Sequence, residues 1–364
     1  MRTSFKAALE KTLKGQTIAK EDLVTLLETT DPEEINTLFS TADATRQRQV
    51  GDEVHFRGII EFSNHCERNC LYCGLRRENK NLKRYRMTPE EITQVCDQAA
   101  TSGFKTIVLQ SGEDNNYSAG TLANLIGRIK DEHDIAITLS LGEKQASFYQ
   151  CLREAGADRY LIKHETANPE LFARLRPGTS LQKRLDCIKE LKKQGFEVGS
   201  GNMVGLPGQS LDVLAEDILL MRELDIDMAG VGPFVPSEHT PLTGSSQGDL
   251  FLTLKVIALT RLALPWCNIP ATTALGTIDH RGREMALGCG ANVIMPNITP
   301  PALRKHYQIY PGKESLFDGP GKPENLQALI QSMGRKVSSG KGSTLENRLS
   351  YKTKRRKEGV SNVF

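Results

Sequence analysis

The sequence predicts an α/β protein, a (β/α)8 TIM barrel with an N-terminal helical extension. Three observations carry this. Eight apolar, β-like runs recur at 54–62, 106–109, 135–141, 159–163, 197–204, 228–231, 269–274 and 292–295. Helix-like segments separate most of them, which implies right-handed crossovers and a parallel sheet. Polar residues collect just after the runs, a position that becomes the C-terminal mouth of a closed barrel. A doubly wound open sheet is the alternative, and no GxGxxG follows any run to support it.

Taken in order, residues 1–50 read as helical. Leu9, Leu13, Leu23, Leu26, Leu27, Ile35, Leu38 and Phe39 recur at helical spacing, and Asp31 followed by Pro32 reads as an N-cap with proline in the first turn. This preface carries no evident chemistry. The barrel is expected over 51–312, with helices at 88–100 (opened by Thr88-Pro-Glu-Glu), 117–130, 182–194 and 211–224. In 313–364 the periodicity fades. One helix is expected near 324–333, and the chain from Ser338 through the basic stretch 352–357 to Phe364 reads as a solvated, partly flexible tail, with docking onto an acidic partner or nucleic acid as the alternative.

Composition excludes several classes. The 364 residues carry a net charge of only +3, too little to make nucleic acid the default partner. No run of about eighteen or more apolar residues occurs, so no membrane span is expected, and the charged first residues lack the apolar core of a signal peptide. Cys96, Cys151, Cys187, Cys267 and Cys289 are scattered and read as small core hydrophobes rather than a disulfide framework. A reducing, cytoplasmic location follows.

The remaining three cysteines behave differently. Cys66, Cys70 and Cys73 fall within eight residues, in the loop after the first run. Crowded thiolates suit iron–sulfur clusters, zinc or copper(I). A 4Fe–4S cluster held by three thiolates leaves one iron open to another ligand. The same spacing matches a buried helical stripe, but polar Glu67, Arg68 and Asn69 between them favour a loop. Zinc would need a fourth ligand, such as His65.

Other chemistry-bearing residues also follow strands: Ser111 to Asp114, Gly142-Glu143, His164 to Thr166, 205–209, 232–236, 272–277 and 296–300. Turn composition alone accounts for the glycines and prolines there. On the fourth run, alternation places Arg159, Leu161, Lys163 and Glu165 on one face and Tyr160, Ile162 and His164 on the other. The first face would point cations and a carboxylate into the barrel. Buried charge needs a partner, so either an anionic or zwitterionic ligand binds there or Lys163 simply pairs with Glu165.

The CxxxCxxC motif with Tyr72 before its last cysteine resembles the signature of radical S-adenosylmethionine (radical SAM) enzymes. The resemblance implies one 4Fe–4S cluster on Cys66, Cys70 and Cys73. It also implies reductive cleavage of SAM to a 5′-deoxyadenosyl radical. On it, Ser111 and Glu113 would take the methionine ammonium, although Ser111 stands where the family's motif has glycine. Arg184 would take the carboxylate, Glu165 the ribose, and Met203 with Val204 the adenine. Tyr72, Gln110 and Ser140 complete the expected cofactor-binding set.

Longer strings resemble a narrower group, the HydE maturases of FeFe-hydrogenase. They are LYCGLRRENKNLKRYRMTPEEI at 71–92, TIVLQSGED at 106–114, TLSLGE at 138–143, HETANP at 164–169, MVGLPGQ at 203–209, IPATTALGT at 269–277 and GANVIMPN at 290–297. That resemblance implies a small iron–cysteine complex with carbon monoxide and cyanide ligands as substrate, supplied by HydG and passed on towards the HydF scaffold. Its cavity is expected to include Thr138, Arg159, Lys163, Thr272, Thr273 and Tyr307. Some of these maturases have a second cysteine group near the C-terminus, and none follows Cys289 here, so a single cluster is expected. The basic run Arg76, Arg77, Lys80, Lys83, Arg84 and Arg86 is either a solvated loop or a dock for a flavodoxin or ferredoxin electron donor. The alternatives are a biotin-synthase-like enzyme acting on a small amino acid, as methylornithine synthase does, or a non-catalytic iron–sulfur carrier.

Overall fold

The structure is a computed structural model that describes residues 1–13, 18–313 and 321–357, without the side chains of 354–357. Alternating apolar runs become parallel strands because only that arrangement hides their continuous hydrophobic faces beneath crossover helices. Strands β1 (Glu53–Phe56) and β2 (Gly58–Ser63) come from the first run. Then follow β3 (Thr106–Ser111), β4 (Ala136–Ser140), β5 (Arg159–Leu161), β6 (Glu197–Ser200), β7 (Met203–Val204), β8 (Met228–Ala229), β9 (Gly232–Pro233), β10 (Val293–Ile294) and β11 (Lys336–Val337).

The main sheet runs β2-β3-β4-β5-β6-β8, all parallel. It closes into a ring through the seventh and eighth runs. Ala229 donates to the Asn268 carbonyl at 2.9 Å, and Ala271 to that of Val293 at 2.9 Å. The ring then returns to the first strand where Ile59 donates to the Pro296 carbonyl at 2.8 Å. The seventh run forms bridges at Asn268 and Pro270 rather than a regular strand. Pro270 has no N–H to give the ladder, and the helix Thr273–Ile278 starts at once.

Helix starts follow their caps. The Asp31 carboxylate accepts from the amide of Glu34, Thr88 and Glu91 form a reciprocal capping box, and Ser118, Ser180 and Ser210 cap the next crossover helices. The N-terminal helices Thr3–Leu13, Lys20–Leu27 and Pro32–Val50 pack on the barrel's flank. There Lys255, buried, donates to the carbonyls of Leu27 and Thr29. All eight cysteines are free; Cys96, Cys187, Cys267 and Cys289 are buried and Cys151 half-buried. Among the described residues no helix is long and apolar enough to cross a membrane.

Residues 336–357 differ from the expected solvated tail, whose last part, 358–364, lies outside the described residues. The helix Pro323–Ser332 forms close to where it was expected. After it, β11 pairs in parallel with β1, and the chain runs across the N-terminal mouth of the barrel. The Lys341 carbonyl accepts from Thr106 Oγ1 and from Arg159 Nη2, both at 2.9 Å. The Gly342 carbonyl accepts from Arg57 at 3.1 Å and Asn268 at 2.9 Å, and the Thr344 amide donates to Glu197 at 3.1 Å. A helix, Leu345–Lys357, follows and pairs Arg348 with Asp227 at 2.9 Å and Lys352 with Asp225 at 2.8 Å. This segment is polar because its task is to satisfy charges, and a polar plug leaves no hydrophobic period to read.

Candidate functional site

At the opposite, C-terminal mouth the strand ends surround a cavity of about 260 Å³. Its wall is largely apolar, with Ile59, Leu161, Met228, Phe234 and Met295 among the contributors. A few polar groups converge on it from strand ends: Glu61, Gln110, Lys163, Glu165, Thr272, Thr273 and Asn297. Cys73 and Tyr72 line the same space, so the cysteine loop forms part of its rim.

The loop is not a helix. It is pinned from several directions: Glu67 donates to the Glu113 carbonyl at 3.0 Å, Leu71 to Leu175 at 2.9 Å and Gly74 to Ile309 at 2.9 Å. Gly74 has to be glycine, because a Cβ there would lie 2.0 Å from the Gln308 carbonyl oxygen. The Arg84 guanidinium gathers the carbonyls of Leu75 at 3.0 Å, Arg76 at 2.8 Å and Asn79 at 3.2 Å, and also reaches that of Asn64. Burial pushes the Cys66, Cys70 and Cys73 thiols above the usual range. Thiols held in this way become ligands only by losing their protons as a metal binds. Among the described residues, only Asp97, Glu132 and His133 bring three ligand atoms within 4.8 Å of one another. The cysteine sulfurs stand further apart, which suits a polynuclear cluster rather than one zinc ion.

Behind the loop lies a network of alternating charge. Arg68 binds Glu113 at 2.6 Å and Glu143 at 2.8 Å. Arg184 meets Glu143 at 2.9 Å and Glu113 at 3.6 Å, and Arg176 meets Glu113 at 3.2 Å and the Tyr72 hydroxyl at 2.9 Å. Burial opposes ionisation of Glu143, but Arg184 and Arg68 beside it hold its carboxyl below the usual value. Gly112 and Gly142 make room for this network. A Cβ on Gly112 would meet the His65 carbonyl oxygen at 2.1 Å, and one on Gly142 would meet Glu113 Cγ at 2.0 Å. Glu165 adopts φ +67°, a rare conformation for a residue with a side chain. Buried Arg176 Nε and, on the cavity wall, Thr272 Oγ1 have no hydrogen-bond partner. An unsatisfied buried hydroxyl on a cavity wall is the feature expected where a polar cofactor or substrate completes the site. The residues therefore fit a three-thiolate cluster with an adjoining small zwitterion.

Of the expected cofactor-binding residues, Tyr72, Gln110, Glu165 and Met203 line the cavity, and Glu113 and Arg184 belong to the charge network. Ser111 and Ser140 close β3 and β4 beside them, and Gln110 pairs in register with Ser140. Of the expected substrate residues, Lys163, Thr272 and Thr273 line the cavity. Three do not. Thr138 and Arg159 pair in register near the opposite mouth, where Arg159 meets Glu197 at 3.3 Å. Arg159 does point inward, as the alternation implies, but it opens β5 whereas Lys163 follows it. Tyr307 packs with Leu75 and Leu82 under the cysteine loop rather than on the cavity wall.

The basic run also divides. Arg84 works inside the loop, Arg86 binds Asp114 at 2.7 Å, and Arg76 is buried and meets Glu78 at 3.2 Å. Arg77, Lys80 and Lys83 remain exposed. Sequence reasoning missed Arg68 and Arg176, lone arginines without a pattern. It also missed Tyr310 and Lys313, which follow the barrel and line the cavity. Glu61 was missed as well, although its position as a carboxylate within the apolar run 54–62 was the signal that could have found it.

Comparisons with known proteins agree with this geometry. The family model described as the Radical SAM superfamily matches residues 60–221. The chain is 55% identical over 310 residues to the [FeFe] hydrogenase maturase subunit HydE of Thermotoga maritima, covering 85% of this chain and 88% of that one. It is 32% identical to a 3-methylornithine synthase of Methanosarcina acetivorans, over 78% of this chain and 81% of the relative. A crystal structure of methylornithine synthase (PylB) superposes with TM-score 0.80 at 29% identity, covering 91% of this chain and 97% of that one.

Proposed function

The chain belongs to the radical SAM superfamily and is a radical SAM enzyme, and from that premise we propose that it acts in assembling the active-site cluster of FeFe-hydrogenase. Its substrate would be a small iron–cysteine complex bearing carbon monoxide and cyanide, delivered by a HydG-type maturase and passed on towards a HydF-type scaffold in the cytoplasm. The single observation that carries this reading is the shared cavity. The cysteine loop and the polar groups from the strand ends line one largely apolar space of small-molecule size, in a chain 55% identical to a HydE maturase.

When bound, the 4Fe–4S cluster and SAM supply one-electron reductive cleavage, the source of radical chemistry. The chain's own residues would do the rest. Cys66, Cys70 and Cys73 would hold a single cluster. Glu113, with Ser111 and Gln110 beside it, would take the ammonium of SAM, and Arg184 its carboxylate. Glu165 would bind the ribose hydroxyls, and Met203 would flank the adenine. Lys163 and the hydroxyls of Thr272 and Thr273 would take the anionic ligands of the substrate. The apolar wall keeps water away from a reactive centre and strengthens each of these polar contacts.

Anaerobic reconstitution followed by electron paramagnetic resonance of the reduced protein tests the reading. We expect a 4Fe–4S signal that shifts on adding SAM and disappears in Cys70→Ala. Turnover of SAM should then be stimulated by the iron–cysteine complex and not by lysine. A cluster signal indifferent to SAM would leave an iron–sulfur carrier, and stoichiometric zinc without iron would overturn the reading. Stimulation by lysine instead would point to a methylornithine-synthase-like reaction.

A further inference from the structure

The cavity wall carries a second buried charge pair that none of the expected site residues includes. Glu61 lies inside β2, and Lys313 arrives from the chain beyond the barrel. Their side chains are 2% and 6% exposed, and they are directly paired. Asn297, bridged to Ile59 of β2, donates its Nδ2 to Glu61 Oε2 at 2.8 Å. Lys313 also donates to the Tyr307 carbonyl at 3.3 Å and sits 4.6 Å from the centre of that ring. All three of Glu61, Asn297 and Lys313 line the cavity.

We propose that Glu61, Lys313 and Asn297 form a subsite for the ammonium and carboxylate of a small α-amino-acid group. A buried ion pair gives little net stability, because desolvating both charges offsets their attraction, and well-packed apolar side chains do as well. A pair kept on the wall of a cavity rather than within packed core is therefore explained better by a ligand than by folding. A ligand bearing one charge would leave half of the pair unmatched. A zwitterion matches both, its ammonium donating to Glu61 and its carboxylate accepting from Lys313. The two groups sit side by side, as the ammonium and carboxylate of an amino acid do on one carbon. Ile59, Pro270 and Met295 around them favour a compact apolar stem. The partnerless Thr272 hydroxyl offers a contact further along. The subsite lies three strands round the ring from Lys163, so one molecule could be held at its amino-acid end by Glu61 and Lys313 and at an anionic end by Lys163.

This inference rests on the reading of a substrate that carries an amino acid. Its test uses the reconstituted, SAM-bound enzyme and three probes without a free thiol: S-methyl-L-cysteine, its methyl ester, and 3-(methylthio)propionate. Calorimetry should show the zwitterion binding about tenfold or more tightly than either analogue. Glu61→Gln should abolish discrimination against the acid that lacks an ammonium, and Lys313→Met discrimination against the ester. Either single change strands a buried charge, so the double variant E61Q/K313M provides a neutral pair if a single one fails to fold, and it should lose both preferences. The SAM-induced change in the cluster signal should persist in every variant. Wild-type protein that binds the three probes equally or not at all, or variants that keep its discrimination, would overturn the subsite while that signal stands. Loss of the SAM response in the wild type would instead break the radical SAM reading itself.

Discussion

Arg159 and Lys163 lie four residues apart, on one strand and its extension, and point to the same interior, yet they belong to opposite ends of the barrel. Arg159 opens β5 at the N-terminal mouth. There Glu197 and the Lys341 carbonyl meet it, and the space shared with Arg57, Thr138 and Asp227 has no volume left for a ligand. Lys163 follows the strand at the C-terminal mouth, 3.6 Å from Glu165 and facing the 260 Å³ cavity. The residue types are similar and the outcomes opposite. Buried charge marks a site only where the chain itself does not finish satisfying it.

The largest expected effect separates these two residues. Arg159→Met leaves Glu197 buried without its cation, and removing one partner of such a pair costs about 3–5 kcal/mol. Chemical denaturation should show that loss, while the cluster signal per folded molecule and its response to SAM stay unchanged. Lys163→Met should behave the other way. Its side chain is 27% exposed, so the stability change should stay below about 1 kcal/mol. Substrate-stimulated SAM turnover should nevertheless fall by about tenfold or more for a lost charge-assisted contact. Equal destabilisation with equal retention of turnover in both variants would erase the distinction between the two mouths.

A third region sharpens the comparison, because its polar groups are sealed like those at the N-terminal mouth but act on the other. His164, Ser200, Asn202 and Asp217 are all fully buried. The Asp217 carboxylate accepts from Asn202 Nδ2 at 2.8 Å, from Gln209 Nε2 at 3.3 Å and from the Ala167 amide. These contacts tie the turn after β5 to the turn after β6. Glu165 and Met203 are fixed between them, Met203 donating to the Glu165 carbonyl at 3.0 Å. Asp217→Asn turns an acceptor into a donor facing other donors. Stability should fall by about 1–3 kcal/mol. The SAM concentration that half-saturates the cluster's spectral change should rise several-fold, with cluster content unaltered. A variant with the same stability loss and wild-type SAM binding would make Asp217 purely structural.

The parts legible in the sequence were local. Alternation put Arg159 and Lys163 on the inner face, and Asp31 and Thr88 announced helices that form where they cap. The three cysteines and the carboxylates after strands named one mouth as the site. Position along the barrel axis was not local. Whether an inward cation meets a ligand or a plug depended on residues 336–344, as much as 285 positions away in sequence, where Gly342 meets Arg57. Their contacts use backbone carbonyls and a threonine hydroxyl, which any sequence offers. Arg68 and Arg176 were hidden for the same reason: their meaning lies in the carboxylates that three separate strand ends bring to them.

The smallest expected effect concerns the outer rim, where charge is neither sealed nor turned inward. Arg76 and Arg84 are committed to internal bonds and the exposed Arg86 to Asp114, so Arg77, Lys80 and Lys83 are the other exposed cations of the basic run, next to the cysteine loop. Exposed charges of one sign steer encounter more than they hold a complex. Replacing these three by glutamate should slow reduction of the cluster by an acidic flavodoxin several-fold at low salt, and by less as screening grows. Reduction by dithionite, protein stability and SAM binding should hardly change. If both reductants slow equally, the effect comes through the loop that Arg84 organises and not through docking, and the rim then belongs with the inward-facing charges of the cavity.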